Sequence, residues 1–290
     1  MQIDGTMSGM STQPAPEHTR SAALANRWVW LPSPGSTNDE LVALARAGSS
    51  DDVPDFTVVA TDDQRAGRGR LGRAWVSPPG ACLAVSVLIR PSTPSGRALA
   101  EGAWGWYPLL AGLAMTRAIG EHMPRAESVA LKWPNDVLID GKKVCGILCE
   151  LVTDASGALA VVIGSGVNLT LDADHLPVPT ATSLVVAGAH STQLDSVLST
   201  YLVHLRRLVR VFDAAEGDAL SSGLLDEVTR ACDTLGRRVR VDLPDATSVM
   251  GHAESLDARG QLCVTLDTPA GRAGEQLVVG VGDVTHVRVV

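Results

Sequence analysis

The sequence predicts an α+β fold, a mixed β-sheet with helices packed on it and then a small β-barrel, and three observations carry that prediction. Apolar or alternating strand candidates at 56–61, 83–89, 129–150 and 158–167 are separated by polar turns, with Asp140-Gly141 a hairpin signal. Two helices have the faces needed to cover such a sheet. The stretch 101–122 is apolar on most sides (Trp104, Trp106, Leu109, Leu110, Leu113, Met115, Ile119). The stretch 193–212 sets Leu194, Leu198, Tyr201, Leu205, Leu208 and Phe212 on one stripe with Arg206, Arg207 and Arg210 opposite. Past Gly236 the pattern changes to short alternating strands at 238–241, 248–256, 262–266 and 283–290, the grammar of a small barrel.

The remaining segments fit this frame. Residues 1–22, rich in Ser, Thr, Pro and Met, read as a disordered leader. Ser36, Thr37 or Asn38 can cap a helix that places Leu41, Val42, Leu44 and Ala45 at helical spacing. The proline-rich run 172–180 reads as a surface loop, and a second helix is expected over 220–231. The expected domains are therefore 23–232 and 233–290.

Composition narrows the function. The 290 residues are 45% hydrophobic with a mean hydropathy of +0.14, enough to bury a large core. A formal net charge of −8 argues against nucleic-acid binding. The longest apolar runs fall short of a membrane span and the first twenty residues lack the apolar core of a signal peptide, so a cytoplasmic protein without membrane contact is expected. The five cysteines, Cys82, Cys145, Cys149, Cys232 and Cys263, lack zinc spacing and read as small core residues.

Against this acidic background the segment 64–75 concentrates Arg65, Arg68, Arg70 and Arg73 among Gly67, Gly69 and Gly72, between two strand candidates. Gly67 to Gly72 matches G-x-G-x-x-G, but a strand rather than a helix follows, so the dinucleotide reading fails. Arg73-Ala74 stands where a P-loop needs Lys-Ser/Thr. An anion site, with glycines admitting the ligand to the backbone, and a solvated basic loop both satisfy these residues. Three other polar, glycine-bearing sites stand at strand ends or loops: Ser36-Thr37-Asn38; Lys132-Trp-Pro-Asn135-Asp136 with Lys143; and Gly164 to Asn168.

Taken in order, GSTND at 35–39, QRAGRGRLGRAW at 64–75, LKWPNDVL at 131–138, GKKVCGILCE at 141–150 and VIGSGVN at 162–168 resemble the catalytic module of the biotin–protein ligases. The resemblance implies a class II synthetase-like sheet domain with an SH3-like C-terminal barrel. It implies biotin and Mg²⁺-ATP as substrates and biotinyl-5′-AMP as intermediate. The acceptor would be a lysine on the biotin carboxyl carrier domain of acyl-CoA or pyruvate carboxylases. By motif, Arg68 and Arg70 order over the biotin carboxylate and phosphates, with Gly67 and Gly69 in the same loop. Arg73 supports the triphosphate and Lys143 bridges carboxylate and α-phosphate.

The resemblance further implies that Ser36, Thr37, Asn38 and Gln64 bond the ureido end of biotin, and that Gly146 and Gly164 admit its ring and tail. Trp75 closes the site, and Asn168 contacts adenine. Lys132 and Asp136, with Asn135 between them, organise the nucleotide side, Asp136 either holding Mg²⁺ or orienting the lysines. Cys145 is expected to pack against the biotin pocket. Bifunctional members carry a winged helix-turn-helix ahead of this module, where the sequence has only residues 1–27, so DNA binding is expected to be absent. The related lipoate and octanoyl transferases share the fold, and a non-catalytic biotin sensor is a further alternative. The R-G-R-x-G-R loop beside K-W-P-N-D points to biotin, and the retained cations point to chemistry. The loop 64–75 is expected to be a mobile clamp, and the barrel to serve transfer more than adenylation.

Overall fold

Strand alternation decides which layer each face of the central sheet meets. A computed structural model describes residues 18–76, 78–243, 245, 247–268, 272–280 and 286–289. Seven strands form the main sheet: β1 (Arg27–Trp30), β2 (Thr57–Thr61), β5 (Cys82–Ile89), β6 (Val129–Lys132), β7 (Asp136–Ile139), β8 (Lys142–Thr153) and β9 (Leu159–Asn168). Their order is β1-β2-β5-β9-β8-β7-β6, with β1 and β2 parallel and every other pair antiparallel. Along β5, Leu83, Val85, Val87 and Ile89 join the larger core with Val161, Ile163 and Val167 of β9. Helices α3 (Trp106–Gly120) and α4 (Leu194–Ala214) cover that face. The alternate residues Leu88, Val152 and Val162 meet Leu41 and Ala45 of α2 (Thr37–Ala47) on the other face.

α2 covers only part of its face, and a small hairpin, β3 (Gly67–Arg68) with β4 (Ala74–Trp75), lies beside it. The stretch expected to be a loose clamp thus has a defined pairing, Gly67 with Trp75 and Arg68 with Ala74. Its approach is fixed by bonds from the N–H groups of Arg65 and Ala66 to the carbonyls of Pro34 and Gly35. The β7–β8 turn at Asp140-Gly141 has φ of 46° and 76°, the two positive values the hairpin signal requires.

Two expected boundaries move. Residues 18–22, assigned to the leader, open into α1 (Thr19–Leu24), because the Asp195 carboxylate accepts the N–H groups of Arg20 and Ser21 and the His18 ring stacks on Trp30. The rest of the proposed leader, 1–17, lies outside the described residues. The second helix starts late, as α5 (Leu224–Ala231), after Gly223 at φ 75°.

The C-terminal strands are β10 (Arg238–Asp242), β11 (Ser248–Leu256), β12 (Leu262–Thr268), β13 (Gln276–Val279) and β14 (His286–Val289). They pair antiparallel in the order β13-β12-β11-β10-β14, consistent with the SH3-like barrel expected. Its interior side chains, Val239, Val241, Ala253, Leu262 and Val264 among them, are continuous with the main core. The turn between β11 and β12 enters the main sheet's helical layer and β6–β7 turn: Trp106 Nε1 donates to the Ala258 carbonyl at 2.9 Å, and Trp133 Nε1 to the Gly260 carbonyl at 3.0 Å. No helix among the described residues is long and apolar enough to cross a membrane.

One buried group away from the site sets a pH dependence. Asp213, in the last turn of α4, accepts the Ser92 N–H at Oδ2, while Oδ1 is buried without a hydrogen-bond partner. Burial lifts its pKa to about 6, against the lowering effect of that N–H. A carboxyl group whose folded pKa lies above its unfolded value costs nothing in acid and destabilises progressively as pH rises through about 6. Asp213→Asn is therefore expected to stabilise the fold by about 1 kcal/mol at pH 7.5, allowing for partial solvent screening, and by nothing at pH 4. Thermal melts of both proteins at the two pH values check this.

Candidate active site

The site begins with missing side chains. On the α2 face of the sheet, Gly146 pairs with Gly166, Gly166 with Ala84, and Gly164 with Leu148 and Ser86, so three strands present a floor almost without side chains. Bulk is excluded there by what already lies on the floor. A Cβ on Gly166 would come within 2.6 Å of the Trp75 ring, and one on Gly164 would overlap Asn38 Oδ1. Asn38 cannot yield easily, because Oδ1 accepts from Ser86 Oγ at 2.6 Å and Nδ2 donates to the Leu148 carbonyl and to Glu150 Oε1. Gly164→Ala is accordingly expected to cost about 3 kcal/mol in thermal stability through overpacking. In the Asn38→Ala background most of that loss should disappear, which paired melts of the single and double variants measure.

The N-terminus of α2 forms one wall. Ser36 caps it, accepting from the Asp39 N–H at 3.4 Å. Thr37 donates from its backbone N–H (2.9 Å) and its hydroxyl (3.2 Å) to Gln64 Oε1. These hydroxyl and amide groups give the wall its polarity, but both polar ends of Asn38 are already engaged.

The other side is cationic. The cavity is lined by Arg68, Arg70, Arg73, Lys132 and Lys143 against one carboxylate, Asp136. That excess in an acidic protein identifies the ligand as anionic. Lys143 Nζ is 2.6 Å from Asp136 Oδ1 and 5.8 Å from the Trp75 ring centroid, within cation–π range. A β-bulge puts it there. Val137 pairs with Cys145 but Leu138 pairs with Lys143, so Val144 is the extra residue. Strict alternation from Gly146 would send Lys143 to the opposite face; the bulge turns it back toward the cavity and leaves Val144 and Cys145 both in the core. Arg70 Nη1 reaches Asn135 Oδ1 at 3.4 Å. Desolvation lowers the Arg70 pKa, Arg73 adds to this, and the Asp136 charge opposes it, a cation short of solvent and receptive to an anion. Asn135 is fixed to β8 by two bonds with Ile147, following the cis Trp133-Pro134 bond.

Ser36, Thr37, Asn38, Gln64, Arg68, Gly69, Arg70, Arg73, Trp75, Lys132, Asn135, Asp136, Lys143, Gly146 and Gly164 all line this one cavity. Gly67 stands behind it, where a Cβ would overlap Gln64 Nε2 and the Trp75 carbonyl. Asn168 does not reach the lining. Its Nδ2 donates to the Thr182 carbonyl at 2.9 Å and its Oδ1 accepts from Cys82 Sγ, so both polar ends are engaged within the protein. Cys145 also departs from expectation. It faces the α3–α4 core rather than the pocket, and burial holds its thiol far above the ordinary range, so it is no nucleophile.

Sequence reasoning placed Gly166 within the small-residue run 164–168 but gave it no role of its own, and it passed over Ser86, Glu150 and Asp39. Gly166 and Ser86 had a signal, since each lies at a two-residue spacing on the floor face; Glu150 and Asp39 had none, because their partner Arg68 is distant in sequence.

A glycine-floored, cation-rimmed cavity in a mixed sheet with an appended β-barrel has the makings of an enzyme site for an anionic ligand. The model of the biotin/lipoate A/B protein ligase family matches residues 35–168. The biotin–[acetyl-CoA-carboxylase] ligase of Mycobacterium tuberculosis is 36% identical over 88% of this chain and 86% of its own. That of Paracoccus denitrificans is 42% identical over 46% and 51% of the two chains. In fold, the chain is similar to the biotin protein ligase of Aquifex aeolicus solved with biotin and ATP, with a TM-score of 0.67 and 23% identity, covering 91% of this chain and all of that one. The chain belongs to the biotin–protein ligase family.

Proposed function

We propose that the protein is an ATP-dependent biotin–protein ligase, and the observation that carries this is the convergence of Lys143, Arg70, Arg73 and Lys132 over the Gly146–Gly164–Gly166 floor. Biotin's carboxylate and the α-phosphate of ATP repel one another, so the protein must hold both and neutralise charge as a biotin oxygen attacks phosphorus. The glycine floor takes the ring and tail, and Ser36, Thr37 and Gln64 address the ureido group. Lys143 stands where carboxylate and α-phosphate meet, with Arg70 and Arg73 on the phosphates. The new P–O bond gives biotinyl-5′-AMP as the α–β bridging P–O bond breaks and pyrophosphate leaves. The ε-amine of a carrier lysine then attacks the biotinyl carbonyl, AMP departs with the bonding pair, and a proton is lost from nitrogen.

Mg²⁺ would arrive with the nucleotide. Among the described residues no group of three His, Cys, Asp or Glu side chains could hold a metal alone, and Asp136 is the carboxylate at the cavity. One protein carboxylate plus phosphate oxygens and water suits Mg²⁺, which would neutralise phosphate charge. The acceptor is a carboxylase biotin carrier domain, those of acyl-CoA and pyruvate carboxylases included, with neither nucleic acid nor membrane involved and the reaction placed in the cytoplasm. The R-G-R-x-G-R loop beside K-W-P-N-D favours biotin over the lipoate alternative.

ATP–pyrophosphate exchange tests the reading. Purified protein with Mg²⁺ is expected to exchange label when biotin is added and not with lipoate, and to biotinylate an added carrier domain. Absence of biotin-dependent exchange would remove the ligase reading.

A further inference from the structure

Arg68 is placed differently from the other cations. Its Nη2 carries two bonds, to Asp39 Oδ1 and, at 2.9 Å, to Glu150 Oε1. Neither carboxylate lines the cavity; both stand behind the arginine. An arginine flanked by two carboxylates has its charge more than balanced, so Arg68 brings the ligand little net attraction. Two carboxylates beside an anion site would also weaken it unless they served another purpose.

Glu150 has a second bond that points to the purpose. Its Oε1 also accepts Asn38 Nδ2 at 2.8 Å. Asn38 is tied by its Oδ1 to Ser86 and by Nδ2 to the Leu148 carbonyl, and Ser86 Oγ lies 2.8 Å from Thr37 Oγ1. Glu150 thus joins β8 and Asn38 of α2 to the arginine hairpin through Arg68, beyond the Arg65 and Ala66 backbone bonds and the Thr37–Gln64 contacts that hold its approach. The hairpin's own pairing is only two residues long, too short to hold its place unaided.

We infer that Glu150 is a positioning residue: through Arg68 it fastens the 64–75 hairpin to the sheet, so that Trp75, Arg70 and Arg73 stand over the glycine floor, and Arg68 serves as the tether rather than as a ligand cation. Asp39, whose side chain is 57% exposed, is the weaker arm of the tether.

This rests on the ligase reading for its kinetic readout and has one independent of it. Glu150→Ala is expected to raise the KM for biotin in exchange about tenfold, the loss of one charge-assisted bond, with kcat changed less than about twofold. Without biotin it should speed tryptic cleavage at Arg65, Arg70 and Arg73. Glu150→Gln, which keeps an acceptor for Arg68 and Asn38, should recover to within about threefold of the parent, as should Asp39→Ala. Arg68→Ala should match Glu150→Ala, and the double variant should be no worse than either single one.

The inference is overturned if Glu150→Ala binds biotin as well as or better than the parent, if the two single effects add in full, or if cleavage is unchanged. Should Glu150→Ala fail to fold, a Glu150→Gln protein with parental biotin affinity and rapid cleavage would equally overturn it. If the parent protein itself shows no biotin-dependent exchange, the ligase reading fails instead, and the cleavage comparison still decides the tether.

Discussion

Lys143→Ala is expected to lower biotin-dependent exchange by about 100-fold or more while leaving the melting temperature nearly unchanged. The stability side follows from exposure: the ammonium pairs with Asp136 at 2.6 Å, but the side chain is 37% exposed, and such pairs add little to folding. The kinetic side follows from what remains. Without Lys143, the Asp136 carboxylate, only 15% exposed, faces incoming phosphates with its closest cation gone. Two effects are then superimposed, a lost transition-state contact and a new ground-state repulsion. Asp136→Asn in the Lys143→Ala background, assayed at saturating Mg²⁺ so that a weakened metal contact is compensated, should separate them: KM for ATP recovers, whereas kcat stays low. Steady-state exchange kinetics on the four proteins resolve the two terms, and a double variant with restored kcat would show that Lys143 acts only by screening Asp136.

That lysine also marks where the sequence stops being readable. Its membership of the site was legible from the GKKVCGILCE motif, but its direction was not, since a period of two places Lys143 and Gly146 on opposite faces. The bulge at Val144 reverses this, and one extra residue in a strand leaves no signature when it and the residue after it, Val144 and Cys145, are both small and apolar. Local chemistry was read well: the Asp140-Gly141 turn, the apolar α3 and the striped α4 all depend on near neighbours. The glycines of β8 and β9 were legible individually, whereas their pairing into one floor needs the register. The place of Asn168 outside the cavity lining was hidden for a related reason. The residue closes a strand whose preceding glycines line the cavity, yet by its end the strand has passed beneath the loop at Thr182, which takes the amide. Contacts such as Arg68 to Glu150 or Trp133 to Gly260 join residues far apart in the chain, and a single sequence holds no record of them.

The last of these contacts reverses an expectation drawn from sequence. Removing the barrel by truncation after Ala231 is expected to abolish adenylate formation as well as transfer, because the β11–β12 turn is part of the catalytic unit's interior. Trp106 and Trp133 are 0% and 1% exposed, and each gives its indole N–H to a carbonyl of that turn. Thr234 Oγ1 accepts the Trp133 backbone N–H, and Asp233 N–H donates to the Leu131 carbonyl, so truncation also strips β6 of partners. Exposing two indoles costs about 2 kcal/mol each, and exchanging their hydrogen bonds for water about 1 kcal/mol each, together comparable with the lower end of a domain's stability. The loss falls on the site because Trp133 directly precedes Asn135 and Asp136. Gly260→Ala is the gentler probe. Its φ of 73° and a Cβ placed 2.8 Å from Leu109 Cδ1 both resist a side chain, so the turn must withdraw from Trp133. KM for ATP should rise about tenfold on losing that buried bond, while biotin affinity, governed by the far side of the cavity, holds. Trp106→Phe loosens the same turn without touching the Trp133-to-Asp136 segment and should lower the melting temperature with no change in KM. Isothermal titration with biotin and exchange kinetics with ATP, run on both variants and on the truncated chain, distinguish a barrel that shapes the nucleotide side from one that only receives the carrier. Parental adenylation by the truncated chain would establish the second.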